Sequence, residues 1–422
     1  MGESLVTLLR AASDPVGDVR PPAVAELVAR RRRRTGLRTG SAMLATAATV
    51  ITVAAVVAHR PDRPAGHRDV PPPISRPRPT AVGVTVEQLG GYRWRALPPA
   101  PIPPRGDAVA VWTGHEVIVW GGVRGDVARE DGAAYDPVTR RWTTLPSAPI
   151  AGANAQAVWT GRAMVVWTFE QGGASYDPVD RKWTRLPKMR DMYPAALVAW
   201  QGWAVLLHGA HNATVVHADA VDPRAATRWQ HLPELRLAAQ HGLEDLVAMD
   251  DGVDLYVWAD WSHSRAEGPN GSVVTSGVEA FHLGGTRWTS APGGPDHGLA
   301  ANGVALVAGR FFFPQTSLAC VTCSGPLLAG NHGRLVDPVT GAGTPAPPTF
   351  RARYASTGRA MLALNTSGGD TKPGDLAAWE PGRSRWLRLP PDPHGGSGKP
   401  TILWGGDRLF VWGSRGGLEF AG

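Results

Sequence analysis

The chain has 422 residues, including 51 glycines and 38 prolines, and a formal net charge of +7. The positive excess lies near the N-terminus, because residues 1–40 hold eight arginines against four acidic residues and residues 59–80 hold five against two. The rest of the chain is close to neutral. This argues against nucleic acid as a partner, since nucleic-acid binding depends on a clustered basic surface.

Residues 1–38 form a short basic tail that is too short to bury a useful core. Two short helical patterns are separated by Pro21 and Pro22, at a position where proline can begin a helix. We interpret the segment as a positively charged cytoplasmic tail. A docking segment for a cytoplasmic partner is the alternative.

Residues 39–58 carry no charge over 20 residues, which is the length that a bilayer core requires. The larger arginine cluster precedes this segment, so the positive-inside rule predicts a cytoplasmic N-terminus and an extracellular bulk. We therefore predict a single-pass transmembrane helix and a location in the cell membrane. A signal peptide cleaved after Ala58 is the competing interpretation.

Residues 59–87 are rich in proline and arginine and cannot form a core. Such sequence favours an extended polyproline conformation. We predict a linker that holds the next domain away from the membrane, with arginines available to anionic surface groups.

Residues 88–422 contain a repeat made of an apolar strand pair, an aromatic residue, often Asp-Pro, then tryptophan and often Leu-Pro. Its clearest copy spans residues 108–146. The spacings between the repeated tryptophans are 48, 41, 46, 59 and 98 residues, the last being two periods. A period of this size built from four short strands is typical of a β-propeller blade. The repeated tryptophans are Trp94, Trp142, Trp183, Trp229, Trp288 and Trp386.

Each part of the repeat has a physical role. Asp-Pro favours a tight turn, and Leu-Pro ends an outer strand because proline cannot continue a hydrogen-bonded ladder. An aromatic residue lies seven positions before the tryptophan in four copies, so the two rings are expected on neighbouring strands, packed between blades. These pairs are Tyr135–Trp142, Tyr176–Trp183, Phe281–Trp288 and Trp379–Trp386.

The two ends of the repeat region predict how the ring closes. The last copy has three strands and stops after Phe420, whereas the Trp94 strand near residue 88 has no preceding strands. Pairing the two completes a blade and leaves no open edge. The sequence therefore predicts an all-β, seven-bladed propeller.

These features resemble the kelch family of β-propellers, which includes the galactose-oxidase-like propellers. The residues that carry the resemblance are Gly121-Gly122 and the Tyr135/Trp142 pair, with their counterparts in other blades. An oxidase of this type would need copper held by Tyr and His and a Cys–Tyr crosslink. That site cannot be assembled here, so the resemblance implies the fold and not the activity. The basic tail and anchor are similar to those of actinobacterial membrane proteins.

The longest predicted loops join the second and third strands of their blades, at residues 123–131, 259–277, 314–330 and 365–375. They lie on one rim, where they can form a pocket over the central channel or be tolerated insertions. Cys320 and Cys323 fall in one of them. Outside the membrane they are expected to form a disulfide, with two idle thiols as the alternative.

Two polar clusters also stand out in the sequence. His208, His211 and His217 are interpreted as ordinary polar contacts of a blade, because a metal site would need further ligands. The acidic residues Asp250, Asp251 and Asp254 fit the chemistry of a turn. No catalytic, metal or cofactor motif is recognised.

The sequence thus favours a tethered extracytoplasmic module that binds or senses a glycan, peptide or protein of the cell envelope. An extracytoplasmic enzyme with its site in the central funnel, such as a carbohydrate-active one, is the alternative, and a structural scaffold is a third. Acidic residues or histidines converging on the axis would favour the enzyme. A neutral polar or aromatic rim would favour binding.

Overall fold

The structure is a computed structural model, and it describes residues 83–422 with short gaps. The gaps are 190–194, 225, 227, 239–240, 267–271, 285–286, 292, 295–303, 315–331, 349–351, 367–371 and 397–398. The predicted tail 1–38, transmembrane segment 39–58 and most of the linker 59–87 lie outside the described residues. No helix within the described part has both the length and the apolar character needed to cross a bilayer.

The described chain forms seven antiparallel sheets, six of four strands and one of five, which are the blades of a β-propeller. This confirms the predicted fold class and blade number. The strand that later closes the ring is β1 (Arg93–Ala96). Blade 1 contains β2 (Val109–Trp112), β3 (Val117–Trp120), β4 (Val123–Arg124), β5 (Val127–Ala128), β6 (Gly132–Asp136) and β7 (Arg141–Thr144), of which β4 and β5 form a separate hairpin.

Blades 2 to 4 follow in chain order. Blade 2 is β8 (Gln156–Trp159), β9 (Met164–Thr168), β10 (Gly172–Asp177) and β11 (Lys182–Arg185). Blade 3 is β12 (Ala195–Trp200), β13 (Trp203–His208), β14 (Val215–Val221), β15 (Gln230–His231) and β16 (Leu235–Arg236), where β16 also pairs with β14. Blade 4 is β17 (Gly242–Asp250), β18 (Leu255–Ala266), β19 (Ser272–Gly284) and β20 (Arg287–Ser290).

Blades 5 to 7 complete the ring. Blade 5 is β21 (Ala305–Val307), β22 (Arg310–Phe313), β23 (His332–Val336) and β24 (Gly343–Pro348). Blade 6 is β25 (Ala352–Ser356), β26 (Met361–Asn365), β27 (Leu376–Trp379) and β28 (Leu387–Leu389). Blade 7 is β29 (Thr401–Gly405), β30 (Arg408–Gly413), β31 (Gly416–Ala421) and β1.

The ring closes as the sequence predicts, with β1 as the outer strand of the last blade. Trp94 lies opposite Phe420 in the β1–β31 ladder, and their ring centroids are 5.0 Å apart. The first strand from the N-terminal side is therefore hydrogen-bonded to the last strand of the chain. This arrangement pairs the outer edge of β31 and gives blade 7 the four strands of a complete blade.

The alternation of strand directions gives the ring two distinct faces. The turns between first and second strands and between third and fourth strands lie on one face, which we call the lower face. The loops between second and third strands and the connections between blades lie on the other, the upper face. Every first strand starts at the upper face, and every fourth strand starts at the lower face.

A hydrogen bond between neighbouring blades recurs around the ring. In five blades the indole Nε1 of the outer-strand tryptophan donates to the carbonyl oxygen of the proline that ends the preceding outer strand, at 2.7–2.9 Å. The Leu-Pro signal thus marks both the end of a strand and the acceptor for the next blade. The bonded pairs are Trp94–Pro390, Trp142–Pro98, Trp183–Pro146, Trp229–Pro187 and Trp288–Pro233.

The aromatic pairs follow the predicted interval in most blades. The Tyr135–Trp142 and Tyr176–Trp183 ring centroids are 4.9 and 5.0 Å apart on adjacent strands. Blade 4 departs from this register, because Trp288 lies opposite Leu283 and Phe281 lies opposite Ser290. The ladder in blade 4 continues to Gly284 opposite Arg287, with two residues between them, whereas four residues separate the paired Asp136 and Arg141 in blade 1. The seven-residue spacing alone therefore did not specify the pairing.

The N-terminal end of the described chain joins the propeller on its lower face. Helix α1 (Val86–Leu89) begins at Thr85, whose side chain accepts from the Gln88 amide, and it buries Val86 and Leu89 against blades 6 and 7. Ahead of the helix, Thr357 Oγ1 in the lower turn of blade 6 donates to the Val84 carbonyl at 2.8 Å. The chain is therefore attached to blade 6 before β1 begins.

Candidate functional site at the upper mouth of the channel

The first strands of the blades meet around a cavity of about 530 Å³ at the upper mouth of the central channel. Within the described residues, its lining comes from the starts of the first strands of blades 1, 2, 3, 6 and 7 and from the middle of the first strand of blade 4. Alanines occupy much of this lining. Their small side chains leave space where the inner strand edges converge. The described loop 123–131 does not contribute to the lining, so the cavity belongs to the strand ends rather than to that loop.

Several polar side chains at the mouth hold neighbouring blades together. Gln156 donates from Nε2 to the Ala195 carbonyl and accepts on Oε1 from the Leu197 amide, both at 2.8 Å. It therefore bridges the inner strands of blades 2 and 3. Asp107 is paired with Lys399 at 2.9 Å, which joins blade 1 to the segment before blade 7. The side chains of Gln156 and Asp107 are therefore already bonded within the protein.

Two charged side chains on the lining are not used in this way. Asp245 accepts a hydrogen bond only from the adjacent Leu246 amide, at 2.8 Å, among the described residues. The side chain of Arg353, at the start of the inner strand of blade 6, makes no hydrogen bond or ion pair within the described part of the chain. The two blades are separated by blade 5, so an anionic and a cationic group approach one cavity from different directions.

A β-bulge explains why Asp245 lines the cavity. The ladder between β17 and β18 shifts register between Leu243 and Asp245. The neighbouring Glu244 side chain contacts Ser262 Oγ and lies 3.4 Å from the His211 ring. A bulge changes the direction of the side chains beside it, so the consecutive carboxylates Glu244 and Asp245 have different surroundings. Burial raises the pKa of Asp245, and the hydrogen bond from the Leu246 amide partly offsets this.

The predicted histidine cluster lies in blade 3, and each histidine contacts a carboxylate. The His208 Nε2 atom is 2.7 Å from Asp219 Oδ2, and the His208 and His217 ring centroids are 5.5 Å apart. His217 lies 3.6 Å from Glu234. Within the described residues no group of three or more His, Cys, Asp or Glu side chains is arranged to hold a metal ion.

The predicted acidic cluster lies on the lower face, away from the cavity. The Asp250 and Asp251 side chains accept hydrogen bonds from the turn amides of Gly252, Val253 and Asp254 at 2.8–2.9 Å. Burial raises the pKa of Asp250 to about 6. The Gly252 hydrogen bond opposes this shift, and the charges of Asp251 and Asp254 add to it. Cys320 and Cys323 lie outside the described residues.

The sequence interpretation did not select Asp245 or Arg353. The available signal was a charged residue within the first, apolar strand of a copy, in the segments LEDLVAM and RARYAS. That signal does not say which side chains reach the axis. It therefore could not have joined the two residues into one site.

The fold and the cavity together define a seven-bladed β-propeller with a polar axial mouth. No protein-family model and no curated protein matches the sequence of this chain. Any functional assignment must therefore rest on the geometry of the site itself.

Proposed function

We propose that the protein is a membrane-tethered, extracytoplasmic propeller of the kelch-like type that binds a cell-envelope ligand at the upper mouth of its channel. The observation that carries this proposal is the 530 Å³ cavity with Arg353 and Asp245 on its lining. A buried or half-buried charge without a partner is costly, and a ligand of complementary charge offsets that cost. Arg353 suits a carboxylate or phosphate, and Asp245 suits a hydroxyl or ammonium group.

The chemistry of the lining favours binding over catalysis. Glycoside hydrolysis, for example, needs a pair of carboxyl groups in different protonation states. The lining does hold two, but Asp107 is neutralised by Lys399. The raised pKa of Asp245 is the observation that keeps an enzyme as the second candidate, with this residue as general acid.

The extracytoplasmic location is supported by the sequence of residues 39–58 and by the charge asymmetry around them. In this arrangement the tether reaches the lower face, and the cavity opens on the opposite face. A ligand of the cell envelope would then approach the mouth without passing between the propeller and the membrane.

Binding is tested with the full-length protein in detergent micelles, immobilised and exposed to glycan, peptide and protein pools from cell envelopes. We expect one pool to be retained, and we expect Arg353→Ala and Asp245→Asn each to lower the affinity about tenfold or more, since a charge-assisted hydrogen bond contributes about 1.5–3 kcal/mol. Arg388→Ala, an exposed cation on the outer strand of the same blade, is the matched control.

Two results would contradict binding at the mouth. One is the absence of any retained component, and the other is retention that is equal in the wild type and both cavity variants. If the retained component is recovered with a changed mass, and Asp245→Asn prevents the change, the enzymatic alternative replaces the binding function.

A further inference from the structure

The residue immediately before the outer-strand tryptophan is basic in every blade that has this tryptophan. The fourth strand begins at the lower face, so these residues stand around the lower rim, and all of them are exposed. Blade 5 lacks the tryptophan and has no such cation. The six residues, which we call the lower-rim cations, are Arg93, Arg141, Lys182, Arg228, Arg287 and Arg385.

The fold leaves most of these cations without a partner. The Arg93 side chain donates to the Gly90 and Tyr92 carbonyls, but the side chains of the other five make no hydrogen bond or ion pair to any described residue. Neighbouring arginines behave differently, since Arg140 pairs with the buried Glu419 and Arg181 donates to the Thr144 carbonyl at 2.8 Å. In each of these two turns one arginine is bonded to the protein, and the basic residue that follows it is exposed to solvent.

Apolar side chains project from the same rim. Val138 and Val179 follow the Asp-Pro turns of blades 1 and 2 and are 88% and 81% exposed, and Val339 in blade 5 is 46% exposed. Apolar side chains beside cations are characteristic of protein surfaces that lie on a lipid interface. Carboxylates also lie on this face. The acidic turn at Asp250 belongs to the inner first and second strands, nearer the axis, and the Asp136, Asp177 and Asp337 side chains accept hydrogen bonds from amides of their own turns.

The chain also reaches the propeller on this face. Val84 is bonded to the lower turn of blade 6, and Glu87 contacts Arg383 in the other lower turn of that blade. A proline-rich linker of residues 59–82 spans at most about 75 Å when extended. This length would allow the propeller to stand away from a bilayer, so tethering alone would not hold the lower face against it.

From these observations we propose that the lower face docks on anionic phospholipid headgroups through the lower-rim cations. The charges recur around a rim rather than converging on a pocket, which suits a continuous anionic surface. Docking in this way directs the channel mouth away from the membrane. The inference rests on the proposed membrane tether, and its test separates the two.

The test uses the full-length chain in nanodiscs of zwitterionic or anionic lipid, with Cys320→Ser and Cys323→Ser removing the native thiols. A fluorophore is placed by Val138→Cys on the lower rim or by Val127→Cys on the upper hairpin β4–β5, and energy transfer to acceptor-labelled headgroups is measured. We expect several-fold stronger transfer from position 138 than from 127, and a loss of this difference when anionic lipid is omitted or salt is raised.

Charge reversal supplies the second arm. Energy transfer from position 138 should no longer depend on anionic lipid when five lower-rim cations are replaced by glutamate, namely Arg141, Lys182, Arg228, Arg287 and Arg385. Arg124→Glu with Lys188→Glu on the upper face should leave this dependence unchanged. Equal transfer from both positions, or transfer that ignores lipid charge, overturns the docking surface.

The anchor is tested separately with a chain that lacks residues 39–58. We expect this chain to sediment with anionic but not with zwitterionic vesicles, and we expect its vesicle affinity to fall about fivefold for each neutralised rim cation. This result supports docking whether or not the wild type inserts into nanodiscs. A failure to sediment with anionic vesicles overturns docking. Failure of the wild type to insert contradicts the tether alone.

Discussion

Trp94 offers the sharpest test of how the ring is held closed. Its indole donates to the Pro390 carbonyl at 2.8 Å, and its ring packs 5.0 Å from Phe420 on the neighbouring strand. Trp94→Phe keeps a ring but removes the donor, which should cost about 1 kcal/mol of unfolding free energy. Trp94→Ala also removes the aromatic contact and should cost about 3 kcal/mol, a large part of an ordinary domain's stability.

The measurement is equilibrium urea unfolding of the full-length protein in detergent, followed by near-ultraviolet circular dichroism. With a denaturant slope of about 3 kcal/mol per M, Trp94→Phe should lower the midpoint by about 0.3 M. Trp404→Phe is the matched control, because Trp404 is also half-buried in blade 7 but donates no hydrogen bond to a described residue. Equal midpoints for the two phenylalanine variants would refute a stabilising role for the bond between blades.

Two further predictions concern a turn carboxylate and a glycine. Because the folded state raises the pKa of Asp250 to about 6, folding favours its protonated form, and the free energy of unfolding should fall by up to about 2 kcal/mol as the pH rises from 4 through 6. Asp250→Asn should remove this fall in urea titrations. The same pH profile in the variant and the wild type would count against the role of Asp250. Gly122→Ala should destabilise by about 2 kcal/mol or more, since φ is +90° and a Cβ would lie 2.6 Å from a backbone oxygen. Gly114→Ala, with φ +105° and open space, should cost only the backbone strain, and equal thermal midpoints for the two alanine variants would contradict the steric argument.

The polarity of the ring connects the two proposals. The cavity collects the starts of most of the first strands, and the lower rim collects the starts of the fourth strands. Antiparallel pairing places these starts on opposite faces. A repeat with a cation at the start of its fourth strand therefore builds a basic rim on the face away from the cavity.

The sequence alone was sufficient to predict the blades and their closure. Asp136-Pro137 and its counterparts act through local turn chemistry, and the Asp136 side chain accepts from the Val138 amide at 2.8 Å, two residues away. The incomplete copies at the two ends left one pairing that completes a blade, and Trp94 does lie opposite Phe420. These features depend on contacts within a repeat or on the count of strands, so spacing along the chain reveals them.

Only the tertiary structure decided which residues share the channel mouth. Asp245 and Arg353 belong to different repeats, and no local pattern links them. Asp245 also lines the cavity beside a one-residue bulge that the repeat does not encode. The same limit applies to the register of Trp288 and to the attachment of Val84 beside blade 6. Spacing specifies what each blade contains, but the packing of blades around a common axis determines which side chains meet there.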